Sequence, residues 1–128
     1  MRRLLKGIYD QFNASTLAAE YKLHYALAPQ ETEPPYITFR LITDSTDSDF
    51  DCNWWESCVV QISAWSTADS SIEALEMNRK IRVVFDDATL TVPEWFFIHM
   101  LPTVGNLVDD PDGGWHYAQD YRVEIVTP

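Results

Sequence analysis

The sequence predicts an α+β fold, an antiparallel sheet of about four to five strands with two helices packed on one face, in a single domain over residues 1–128. Three observations carry that expectation. Several segments of five to thirteen residues alternate polar and apolar side chains with the period of two that sets successive side chains on opposite faces of a strand. Two others repeat apolar residues at the three-to-four spacing of a helix. A chain of 128 residues with 46% hydrophobic and 23% charged residues is long enough to bury one core without disulfides or metal.

The first element is a helix over residues 2–13, where Leu4, Leu5, Ile8, Tyr9 and Phe12 form an apolar stripe opposite Arg2, Arg3, Lys6, Asp10 and Gln11. Its basic start resembles that of a secretion signal. Lys6 and Asp10 interrupt the apolar part, however, and no small-residue cleavage site follows, so a helix is the expectation. From Tyr21 the period changes to two. Tyr21, Leu23, Tyr25 and Leu27 share one face of a first strand, and Ile37, Phe39 and Leu41 one face of a second, joined by the proline-bearing connection "QETEPP". After Thr43 the run "DSTDSDFDCN" reads as a loop or hairpin tip, and "WWESCVVQISAWS" as a third strand that completes a meander.

Ser70-Ser71-Ile72-Glu73 fits a capping box that opens a second helix, with Ala74, Met77, Ile81, Val84 and Phe85 as its buried stripe and an end near Asp86. "PEWFFIHML" reads as a fourth strand and "HYAQDYRVEIV" as a fifth. Between them "PTVGNLVDDPDGG" has the prolines, glycines and acids of a flexible loop.

Twenty acidic against nine basic residues give a formal charge of −11, so the chain is repelled by phosphate backbones and anionic membrane surfaces; neither nucleic acid nor membrane is an expected partner. No apolar run approaches the roughly 18 to 20 residues of a bilayer span. Cys52 and Cys58, six residues apart in an extended strand, are separated by about 20 Å, beyond the roughly 7 Å limit for a bridge, which suits a reducing compartment.

Candidate chemistry is thin. Asp44, Asp47, Asp49 and Asp51 invite a calcium site, but the run lacks the glycine and distal glutamate of an EF-hand and reads as a solvated acidic turn. Asp109, Asp110 and Asp112 read the same way. Residues 44–53 and 102–114 are therefore expected to be mobile in the free subunit and to order against partners. His24, His99 and His116 lack the spacings of zinc ligands, and no nucleophile elbow or phosphate loop is present. Cys58 reads as a small core residue. No catalytic residue, cofactor or metal is expected.

The aromatic residues are more informative. Trp55 and Trp65 share parity, opposite to Trp54, Cys58, Val60, Ile62 and Ala64, so the third strand is apolar on the side away from its core. Trp95 and Phe97 add to the fourth strand. Two helices cover one face of a small sheet, and contiguous apolar surface on the other marks an interaction site. Trp54, Trp55, Trp65, Trp95 and Phe97 are accordingly the expected subunit or partner interface, with Trp55 and Trp65 as anchors.

In their order and spacing, "YALAPQETEPPYITFRLI", "VVQISAWS" before a helix, and a closing "GGWHYAQDYRVEI" after an acidic loop resemble the tail completion or tail terminator proteins of long-tailed bacteriophages. The resemblance spans nearly the whole chain, through Ala28-Pro29, Pro35-Tyr36, Gln61, Trp65-Ser66 and Asp120-Tyr121-Arg122-Val123. It implies a virion structural protein without catalytic residues. Six copies would form a ring at the head-proximal end of the tail that stops growth of the tube and offers the head-docking surface, contacting the major tail tube protein on one side and a head-completion or connector protein on the other; before assembly the protein would reside in the host cytoplasm. A head-side neck or connector protein is the alternative, and an acidic DNA mimic that inhibits a DNA-binding enzyme a more distant one.

Overall fold

The computed structural model describes residues 2–28, 33–48, 54–67, 70–92, 96–109 and 114–126. Eight elements run through them: α1 (Arg2–Asn13), α2 (Leu17–Glu20), β1 (Leu23–Tyr25), β2 (Tyr36–Ser48), β3 (Trp54–Ser66), α3 (Ile72–Phe85), β4 (Phe96–Asp109) and β5 (Trp115–Val126). The strands form one five-stranded sheet in the order β1-β2-β3-β5-β4. The α+β class is as the sequence predicts, with the helices on one face.

The alternation in β3 decides the layers. Cys58, Val60, Ile62 and Ala64 are fully buried, and around them pack Leu4, Ile8 and Phe12 of α1 and Met77, Ile81 and Phe85 of α3. Tyr121, Val123 and Ile125 of β5 extend the cluster across the sheet. Each such aliphatic or aromatic side chain contributes about 1.5–3 kcal/mol by leaving water, so this single layer supplies most of the driving force for folding. Tyr121 has a second role. Its hydroxyl donates to Asp86 Oδ1 at 2.7 Å, tying the end of α3 to the middle of β5.

Several details differ from expectation, each for an identifiable reason. The sheet is mixed rather than antiparallel, because β1 runs parallel to β2 with Leu23 opposite Ile37 and Tyr25 opposite Phe39. Ala26 takes φ +63°, a left-handed conformation unfavourable for a residue with a Cβ, and the chain turns there. The ten residues that follow are enough to bring it back beside the start of β1, and the expected strand over 21–27 shrinks to three residues, leaving Tyr25 and Leu27 exposed. A third helix, the single turn α2, was not signalled by periodicity because it is too short to show any. Tyr9, expected in the buried stripe of α1, is 46% exposed.

The capping box does not form. The N-cap of α3 is Ser71, without a side-chain cap; the Ile72 amide donates to Ser70 Oγ, and Glu73 accepts from the Ser66 hydroxyl at 2.6 Å instead of reaching back. Glu73 therefore fastens the start of α3 to the end of β3. The two acidic segments are also more regular than loops. β2 continues in register through Asp44 and Asp47 to Ser48, and β4 runs to Asp109 opposite Trp115. Pro102 is accommodated because β4 is an edge strand, and the register shifts between Pro102 and Gly105 in a bulge or irregularity.

Candidate assembly interface

The face of the sheet away from the helices is built in rows by the strand register. Tyr36, Trp65 and His116 stand side by side at one end, Arg40, Gln61 and Asp120 near the middle, and Trp55, Val126 and Phe96 at the other end. The two tryptophans ten residues apart thus bracket a mainly polar band.

Trp65 is engaged by its own chain. Its ring stacks on His116 at 4.3 Å between centroids and 26° between planes, with Tyr36 on its other flank at 6.2 Å and 23°. Its indole N–H donates to Thr38 Oγ1 at 2.9 Å. These partners follow from register: residues directly opposite on neighbouring antiparallel strands are close enough for aromatic contact. Below the stack, a cavity of about 180 Å³ is lined by Thr38, Arg40, Gln61, Ser63, Trp65 and His116 and rimmed by Ala26 and Leu27. In the polar band Gln61 donates to Asp120 at 3.0 Å, and His99 faces Glu124 at 3.4 Å.

Trp55 lies at the opposite end and is partly exposed, beside Phe96, which is 65% exposed. Phe97 faces the other way and packs against the core, so it does not belong to this face. Trp54 begins β3, but its side chain, Trp95 and the residues Asp49, Asp51, Asp110 and Asp112 lie outside the described set, as does the Asp47 side chain. Asp109 is exposed at the end of β4.

Asp44 sits on the helix-side face of β2, where the Cys58 thiol donates to its Oδ1 at 3.7 Å. Donor atoms of Asp44, Glu56 and Cys58 lie within 4.8 Å of one another. Burial first, then the neighbouring Asp44, pushes the Cys58 thiol up to about 12, so it stays protonated and is a poor nucleophile or metal ligand at neutral pH. Glu56 is raised for the same reasons in the same order, and shares a hydrogen bond with Asp44. Asp44 thus accepts from the Cys58 thiol and shares a hydrogen bond with Glu56, which ties the three side chains together at the sheet's margin.

The sheet's two edges are the feature the sequence did not disclose. Among the described residues, β1 covers β2 only from Ile37 to Phe39, and β2 beyond Arg40 has no partner strand on that side. At the far side, the Asp87 amide donates to the Met100 carbonyl of β4, and past that point the outer side of β4 likewise has no partner strand. Both bare segments, 42–46 and 103–109, consist of exposed residues. A signal was present in "LPTVGNLV", eight residues without a charge; its proline and glycine made it read as a loop.

A family model described as "Tail completion protein gp17" matches residues 12–126, which contain the whole sheet. The chain belongs to the tail completion protein gp17 family. A solved chain from the virion of a native gene transfer agent particle has a similar fold, with a TM-score of 0.77, 13% identity, and 94% of this chain and 92% of that one covered. A search of curated proteins finds no significant match. This tail completion family member is thus a phage virion structural protein, of a fold that also occurs in a phage-like particle.

Proposed function

We propose that this tail completion protein forms a ring of six copies at the head-proximal end of the tail, where it stops growth of the tube and presents the surface on which the filled head docks. The observation that supports this most is the one-sided sheet: helices cover one face, while the other carries Trp55, Val126 and Phe96 at its rim in a family of virion proteins. A surface that is apolar at its ends and polar between fits repeated contacts with other structural proteins better than a small-molecule site. Trp55 is the anchor for the tube or head partner, in one row with Val126 and Phe96, while Asp109 lies at the other end of the sheet opposite Trp115. Trp65 has the lesser role there, because its ring is already stacked and hydrogen-bonded within the chain.

Six copies multiply a formal charge of −11, so closure brings like charges together and the assembled ring repels DNA phosphates. An acidic opening of this kind lets a genome pass without sticking. Electron microscopy of particles made without the protein tests the function: overlong, irregular tails support a terminator. Normal-length tails unattached to heads place the protein on the head side as a neck component.

A further inference from the structure

The two bare strand edges are complementary in a way that identifies what covers them. An unpaired edge exposes a row of amide and carbonyl groups that pairs with any strand offered to it, and soluble proteins usually blunt such edges with charge. The β4 edge is interrupted by Pro102 and the bulge before Gly105 but is not blunted by charge. From Leu101 to Val108 it has no charged residue, and Leu101, Val104, Leu107 and Val108 are 38–52% exposed. Across the sheet, the bare part of β2 carries Asp44 and is followed by Asp47, and Ile42 is 42% exposed.

We propose that the bare edge of β4 in one copy pairs antiparallel with the bare edge of β2 in a second copy, joining their sheets. Three observations carry it. Polarity comes first: β2 is antiparallel to β3, β3 to β5 and β5 to β4, so β2 and β4 run in opposite directions. Repeating the subunit sideways in the same orientation therefore sets β4 antiparallel to the next β2, with the helices of both copies on the same side. Extent comes second. Each edge is covered within the chain at one end only, β2 by β1 and β4 by the Asp87 contact, and the bare stretches are of similar length.

The third observation is the stagger. In the sheet Asn106 is level with Ser63 while Thr43 is level with Val59, so bringing the bare edges together displaces the neighbour along the strands by about four to five residues, or about 14–17 Å. The four strands β2, β3, β5 and β4 span about 19 Å laterally at about 4.8 Å each, and the ratio corresponds to a strand tilt of about 35–40°. Closed barrels need a tilt of about 35–45°, and an unstaggered join would give none. The contact is heterologous, one patch on a different patch, as a ring demands. Pairing β2 with its own copy would instead bring two acidic edges together, each with Asp44 and Asp47 in its sequence.

This inference rests on the proposed ring and supplies its joint. The test uses the full chain with Cys52→Ser and the open-face pair Asn106→Cys and Thr43→Cys, singly and together, oxidised under assembling conditions. Circular dichroism confirms folding, sedimentation of the reduced protein reports assembly, and a denaturing gel reports covalent links. The expected result is a ladder of covalent multimers from the double variant, the same dimers when the two single variants are mixed, and no links from either single variant alone. Rings of the parental mass without a ladder, or dimers from Asn106→Cys alone, overturn the β4-to-β2 joint while leaving the ring intact. Absence of any assembly in the parental protein overturns both.

Discussion

Trp65→Ala separates a side chain that holds its own fold together from one reserved for a neighbour. In the structure the indole is partly exposed but stacked against His116 and Tyr36 and hydrogen-bonded to Thr38. Each aromatic contact is worth about 0.5–1.5 kcal/mol beyond burial, and the Tyr36 ring, with a centroid at 6.2 Å, sits at the weaker end. Loss of the indole donor removes a further ~1 kcal/mol, since Thr38 is itself buried at 6% exposure. A fully buried tryptophan truncated to alanine loses about 3–5 kcal/mol, and partial exposure lowers the figure. Trp65→Ala is therefore expected to destabilise the monomer by about 2–3 kcal/mol, and Trp65→Phe, which keeps the stack and loses the donor, by about 1 kcal/mol. Urea denaturation at a protein concentration low enough to prevent assembly measures both. Unchanged unfolding free energy in Trp65→Ala, combined with lost assembly, refutes the internal role and restores Trp65 as a contact with a neighbour.

Four further outcomes are expected. Tyr121→Phe removes a buried hydroxyl bonded to the half-buried Asp86 carboxylate and should cost about 1–2 kcal/mol in the same assay, with near-normal packing of the ring against Phe85. Stability should fall as pH rises from about 9 towards about 12. Burial raises the folded Cys58 thiol to about 12 whereas the unfolded thiol titrates near 9, so the folded state holds the proton across that window; Tyr121, raised by burial and then by Asp86, acts in the same direction, and Cys58→Ala should flatten the slope without abolishing it. Trp55→Asp should leave the circular dichroism spectrum and ring mass unchanged while reducing binding to purified tails, measured by co-sedimentation; unfolding of the chain would refute its placement on the open face. Assembly, followed by sedimentation, should rise with salt as the Debye length falls from about 30 Å at 0.01 M to about 10 Å at 0.1 M, and more steeply with magnesium, which bridges facing carboxylates. Rings most stable at low ionic strength would contradict the expected charge repulsion.

The sequence made the layers visible where side chains alternate over long runs. Cys58, Val60, Ile62 and Ala64 against Trp55 and Trp65 left one assignment of faces in β3, and the stripe Met77, Ile81 and Phe85 left one buried side for α3. It was uninformative where tertiary geometry overrides local chemistry. Tyr21 to Leu27 alternates like a full strand, yet the turn at Ala26 ends it, and the direction of β1 depends on a connection whose path no local pattern encodes. Polar or punctuated strands were missed for a related reason. Asp44 to Thr46 and Thr103 to Asp109 lack alternation because both of their faces meet solvent, so the usual signal of a half-buried strand is absent. Those same stretches form the bare edges. Features that lead a segment to be read as a loop, exposure on all sides and few core contacts, are what a strand shows when its partner lies in another molecule.

Termination of the tail tube by this protein is tested most directly by tail length in particles assembled with and without it. Measured by electron microscopy, tails made with the protein should share one length, and those made without it should be overlong and variable. Tails of one normal length in both preparations would contradict a terminating role.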